Sequence, residues 1–214
     1  LDRVAHEYMC DHGAYPSTLG YRGYPKSLCS SVNEVICHGI PDDRALRDGD
    51  IVNLDVTLYR EGVHGDTNAT WGVGTIDPLS AKLIAVTREC LERAIEEVAP
   101  GKPMNGVGRV IQQHAEKHRY SIVRDYCGHG IGAVFHEEPQ VMHYGKPGTG
   151  LELKEGMTFT IEPMLNQGKY HTKMLADGWN AVTKDHKLSA QWEHTILVTA
   201  DGHEVLTKRS EESF

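Results

Sequence analysis

Two stretches of the chain repeat apolar side chains every three or four residues. Leu79, Leu83, Val86, Cys90, Leu91, Ala94, Ile95 and Val98 fall on one face of a helix. Asp77 offers its N-cap, Pro78 suits the first helical position, and Pro100-Gly101 stops it. Val107, Val110, Ile111, His114 and Ala115 mark a second helix over about 105–118. Elsewhere the period is two: Val52, Leu54, Val56 and Leu58 share one face of a strand, and Asn53, Asp55 and Thr57 the other. A turn at Arg60-Glu61-Gly62 returns the chain through residues 63–67, a hairpin expected to bring Asp55 and Asp66 side by side. Strands are predicted over 31–36, 50–58, 67–73, 132–134, 158–162, 181–183, 191–199 and 203–206. Strands in the middle with helices on one face predict an α+β domain with an antiparallel sheet.

The 214 residues predict one domain, 1–214, with 39% hydrophobic and 24% charged residues, ordinary for a globular protein. No apolar run approaches the ~20 residues of a membrane span, and no signal peptide is visible. Five cysteines, an odd number with no Cys-x-x-Cys pair, predict reduced thiols and a cytoplasmic setting. There the sequon Asn68-Ala69-Thr70 has no meaning. The net charge of −8 argues against direct reading of nucleic acid. The chain begins at Leu1 in a helical pattern, so the numbering is expected to start inside a longer protein.

Four carboxylates sit where strands read as buried. Asp55 and Asp66 lie in the hairpin, Glu162 follows Met157-Thr158-Phe159-Thr160-Ile161, and Glu193 lies in Gln191-Trp192-Glu193-His194. His129 stands between Gly128 and Gly130. A buried carboxylate is costly unless paired or metal-bound. Four of them balance two divalent cations, and an oxygen-rich set with one imidazole suits manganese, iron(II), cobalt or zinc. Two such ions, roughly 3.5–4 Å apart, can hold a hydroxide and polarise a carbonyl. Hydrolysis is the chemistry predicted. Ordinary solvation would explain any one of these carboxylates, but explains the set poorly.

Seven segments in register resemble type I methionine aminopeptidase over about residues 21–198. They are Asn33-Glu34-Val35-Ile36-Cys37-His38-Gly39-Ile40-Pro41, Leu54-Asp55-Val56-Thr57, Gly65-Asp66-Thr67, Gly128-His129-Gly130-Ile131-Gly132, Phe135-His136-Glu137-Glu138-Pro139, Ile161-Glu162-Pro163-Met164 and Glu193-His194-Thr195. The resemblance implies a pita-bread fold with pseudo-twofold halves. It implies removal of the initiator methionine before a small second residue, by a hydroxide held on two divalent ions. Asp55 would bind one ion, Asp66 and Glu193 both, and His129 and Glu162 would complete the second. Glu162 would also move the proton, His136 would donate to the oxyanion, and His38 would contact the scissile amide nitrogen. Tyr21, Tyr24, Cys29, Phe135 and Trp179 would form the methionine pocket with His38 and His136. His64 or Thr195 would orient the ligands. The implied partners are N-terminal methionine of peptides and nascent chains, met transiently at the ribosome by a cytoplasmic monomer.

Relatives that cut before proline share the ligand set, but are usually longer. The type II methionine enzymes carry a long insertion in the second half, and here Glu193 follows Glu162 by only 31 positions. A non-catalytic binding relative would be expected to lose ligands, and all five are present. Other chemistries fit worse. Gly128-His129-Gly130-Ile131-Gly132 lacks dinucleotide spacing, and Pro147 spoils Gly145-Lys146-Pro147 as a phosphate loop. Pro139 breaks any zincin helix after His136-Glu137. A Cys37–His38 dyad is disfavoured because adjacent strand residues point to opposite faces.

Overall fold

A computed structural model describes residues 1–146 and 148–212. Its frame is the hairpin of strands Ile51–Arg60 and Val63–Gly72, paired antiparallel from Ile51↔Gly72 to Arg60↔Val63. Glu61 (φ 53) and Gly62 (φ 95) both take left-handed conformations in the turn, the combination that follows the twist of the strands. The register sets Asp55 opposite Asn68 and Thr57 opposite Asp66. The two aspartates are therefore diagonal neighbours on one face, where side-by-side placement was expected.

Strand Cys29–Val32 pairs along the other edge of Ile51–Arg60, with Cys29 directly opposite Asp55. The single strand expected over 31–36 is divided. Asn33 turns left-handed (φ 56), while its side chain donates to Asp50 and accepts from the Ile51 amide. Strand Val35–Cys37 then leaves to pair with Ala181–Thr183. A local polar residue thus moves the chain from one sheet to another.

The second half builds a five-stranded antiparallel sheet in the order His203–Val205, His194–Val198, Thr158–Ile161, Gly128–Gly130, Glu137–Val141. Residues 132–134, expected as a strand, are bends; the flanking segments carry the pairing instead. Gly-His-Gly and Glu-Glu-Pro-Gln-Val show neither alternation nor an apolar run, so periodicity could not reveal them.

The described residues form three α-helices, α1 (Asp2–Asp11), α2 (Pro78–Ile95) and α3 (Asn105–Lys117). Asp77 caps α2, accepting from the amides of Leu79 (2.8 Å) and Ser80 (3.2 Å). The inner faces of α2 and α3 bury Leu83, Val86, Leu91, Val107 and Ile111 against Phe159, Ile161, Leu165 and Ile196 of the sheets. Full burial of each such side chain contributes roughly 1.5–3 kcal/mol. The core therefore sits under the helices, leaving the other side of the sheets for polar side chains. Among the described residues no helix is long and apolar enough to cross a membrane.

Candidate active site

The polar face of the hairpin meets the strand that carries Glu193. The Glu193 amide donates to Asn68 O (3.1 Å), and the Thr67 hydroxyl to Glu193 O (2.9 Å). Thr195 Oγ1 donates to Asp66 O (2.8 Å) and accepts from the Asp66 amide (3.1 Å). These contacts tie residues more than 120 positions apart. Asp66, His129 and Glu193 each bring a ligand atom within 4.8 Å of the others. His129 Nε2 lies 3.6 Å from Asp66 Oδ2 and 3.8 Å from Glu162 Oε1. All five residues border one cavity of about 640 Å³.

His129 owes its position to its neighbours. A Cβ at Gly128 would collide with Thr160 O, and one at Gly130 with Glu138 O, so only glycine admits this strand between its two partners. A register shift between His129 and Gly130 re-aims the imidazole. Its Nδ1 lies 3.0 Å from Gly130 O. A carbonyl can only accept, so Nδ1 carries a proton and Nε2 is the nitrogen that faces the carboxylates, the one a metal would take in exchange for its proton.

The charges are out of balance. Burial, followed by the charges of Asp66 and Glu162, pushes the carboxyls of both Asp55 and Glu193 well above the usual carboxylate range. Glu162 is raised to about 7, chiefly by burial, against the pull of His129. Burial disfavours charge on His129, but Asp66 and Glu162 outweigh it and raise the imidazole to about 9. Asp55 Oδ1 is buried with no hydrogen-bond partner. An orphaned buried acceptor of this kind is expensive. Four carboxylates, one imidazole and one vacant lone pair fit divalent cations with mixed oxygen and nitrogen preference.

Beside this centre the cavity has soft, apolar walls. Cys29 lies beside Asp55, and its buried thiol is raised well above the ordinary value, chiefly by burial. Tyr24 is buried, not a loose aromatic of a glycine-rich loop; its hydroxyl donates to Leu28 O (3.1 Å) and Gly39 O (2.9 Å). The Trp179 ring stands edge-on at 5.0 Å to Tyr24 and 6.2 Å to His38. Tyr21 packs at 4.8 Å from Phe135 and 5.1 Å from His136. Burial and the neighbouring His129 hold His136 down to about 3, and burial lowers His38, so both rings are neutral at pH 7.

A sequence profile of metallopeptidase family M24 matches residues 1–200. The chain belongs to metallopeptidase family M24. It is 55% identical to methionine aminopeptidase 2 of Mycobacterium tuberculosis over 97% of this chain and 73% of that protein. The crystal structure of methionine aminopeptidase from Rickettsia prowazekii superposes with a TM-score of 0.96 at 50% identity, covering 97% of this chain and 84% of that one. Prolidase from Pyrococcus furiosus shares the fold alone, at 24% identity and a TM-score of 0.68 over 86% of this chain and 49% of that one. The architecture is the pita-bread fold of M24 enzymes.

Several groups of this M24 site are invisible to motif reading. His64 and Thr195 do not touch the carboxylates: His64 bonds Ser17 and stacks on Phe135, and Thr195 clamps the Asp66 backbone. The carboxylates are instead gripped by Thr57 on Asp66 (2.8 Å), Asn68 on Glu193 (2.6 Å), and Thr160 (2.9 Å) and Gln191 (3.1 Å) on Glu162. The usable signal was the period of two, which puts Thr57 and Asn68 on the face of Asp55 and Asp66. Cys37 and His38 are not kept on the opposite faces that their adjacency in a strand predicted. His38 lies past the strand end with φ 57, and both residues border the cavity. The dyad is nonetheless idle, because burial and the charges of Glu162 and Asp55 keep the Cys37 thiol protonated.

Proposed function

We propose that the chain acts as a methionine aminopeptidase, removing the initiator methionine from nascent or newly made proteins with a small second residue. One observation carries the reading: a buried, under-compensated carboxylate centre opens onto a cavity walled by aromatics and a thiol. Asp55, Asp66, His129, Glu162 and Glu193 would hold two divalent ions, drawn from manganese, iron(II), cobalt and zinc. Bound there, the ions would supply a nucleophilic water deprotonated near neutral pH and polarise the scissile carbonyl.

The protein's own groups do the rest. Glu162, steadied by Thr160 and Gln191, accepts the proton of the attacking water and passes it to the leaving amine. His136 and His38, being neutral, donate hydrogen bonds: His136 to the developing oxyanion, His38 at the scissile amide. Tyr21, Tyr24, Cys29, Phe135 and Trp179 surround the methionine side chain, whose thioether favours aromatic and sulfur contacts. One domain, 1–214, carries all of these roles. Free cysteines support a cytoplasmic setting and the net charge of −8 argues against direct reading of nucleic acid; the chain is proposed to act as a monomer that meets nascent chains transiently at the ribosome.

The test is a peptide panel offered to metal-loaded protein and read by mass spectrometry. Release of methionine from Met-Gly and Met-Ala starts, with Met-Lys and Leu-Gly left intact, is expected. Cleavage of Ala-Pro starts in their place would move the chain to the proline-directed branch of its fold.

A further inference from the structure

We propose that Glu89, His114 and His118 form a second divalent-metal site, for zinc or a similar borderline ion, stapling α2 to α3. His114 and His118 are four positions apart at the end of α3, on one face, with ring centroids 4.7 Å apart. Glu89 reaches across from α2, its Oε2 2.6 Å from His114 Nε2. One ligand atom from each of the three lies within 4.8 Å of the others. None of them borders the active cavity.

The chemistry suits such an ion. Two imidazoles and a carboxylate are a set that zinc takes with a further position left for water. The site adjoins the C-terminal end of α3, where backbone carbonyls make cation binding favourable. His114 is buried and already oriented by Glu89, so little side-chain freedom is lost on binding. Burial, His114 and the ammonium groups of Lys82 and Lys117 keep His118 neutral, the form that ligates. The same ammonium groups repel a cation, which ranks this site below the four-carboxylate centre in affinity. On binding, the ion replaces the proton that joins His114 Nε2 to Glu89, and that proton passes to solvent. The consequence is a cross-link within the helical layer, acting on its stability and not on the peptide chemistry.

Zinc titration of the full chain, followed through the histidine ring resonances, tests the site. The His114 and His118 rings are expected to shift together and saturate with a single zinc, while His129 reports the buried centre separately. Glu89→Gln and His118→Ala should each raise the half-saturating zinc concentration for this site at least about tenfold. Independent or absent shifts of the two rings, or a half-saturation unchanged in either variant, would overturn the proposal.

Discussion

Asp50 and Asp55 lie five residues apart on one run of chain, both largely out of water, and their fates are opposite. Asp50 collects donors from the protein: the Arg47 amide (2.8 Å), Asn33 Nδ2 (2.8 Å) and the Arg44 guanidinium (3.0 Å). Burial works against its charge, but these donors outweigh burial and hold the carboxyl below its usual range. Asp55 faces a protonatable thiol and other carboxylates, keeps one oxygen without a partner, and is pushed the other way. A structural carboxylate is completed by its own fold. A carboxylate kept for a ligand is left incomplete, at a cost that only the ligand removes.

The sharpest break of this contrast is at the shared centre. Asp66→Ala or Glu193→Ala should abolish peptide turnover and lower the metal content of the purified protein, since each removes a buried carboxylate on which the others depend. Retained turnover with full metal content would place the chemistry elsewhere. His136→Ala should keep its metal yet lose about 10²–10³ in turnover if the ring donates to the oxyanion. An unchanged rate in the metal-loaded variant would return His136 to the cavity wall.

Asp50→Asn sharpens the structural side. It should cost about 1–3 kcal/mol of stability, read from the denaturant midpoint, and leave turnover intact. Because its folded pKa is lowered, the Asp50 contribution is complete above the ordinary carboxylate value and is lost as pH falls through the lower folded value. Wild type and Asp50→Asn should therefore converge in stability as the pH drops below about 4. Cys29→Ala is the smallest change. It should alter the preference for methionine over norleucine while metal affinity holds, as chain-length and atom-size differences in such a pocket are worth about 1–3 kcal/mol.

Asp55 was legible as a carboxylate on the polar face of an alternating strand, Asp66 through the hairpin that returns beside it, and Glu162 and Glu193 as carboxylates in segments that otherwise read as buried. His129 was legible from its flanking glycines, whose steric purpose the structure explains. Helices with strong three-and-four periodicity were predicted nearly to the residue, although α2 ends at Ile95, before the expected stop at Pro100. What escaped was of two kinds. Short strands such as Glu137–Val141 carry no period to detect. Asn68 and Gln191 act on carboxylates brought to them by tertiary pairing, and nothing in their local sequence announces which carboxylate each will hold.

Asp55 is expected to destabilise the protein until metal binds. Thermal unfolding of wild type, Asp55→Asn and Asp50→Asn, each with chelator and with manganese, measures this. In chelator, Asp55→Asn should unfold at or above the wild-type temperature and Asp50→Asn below it. Manganese should raise the midpoint of wild type and of Asp50→Asn, by an amount growing with the logarithm of its concentration, and lift Asp55→Asn far less. Loss of stability in metal-free Asp55→Asn matching that of Asp50→Asn, with the manganese response intact, would contradict the account.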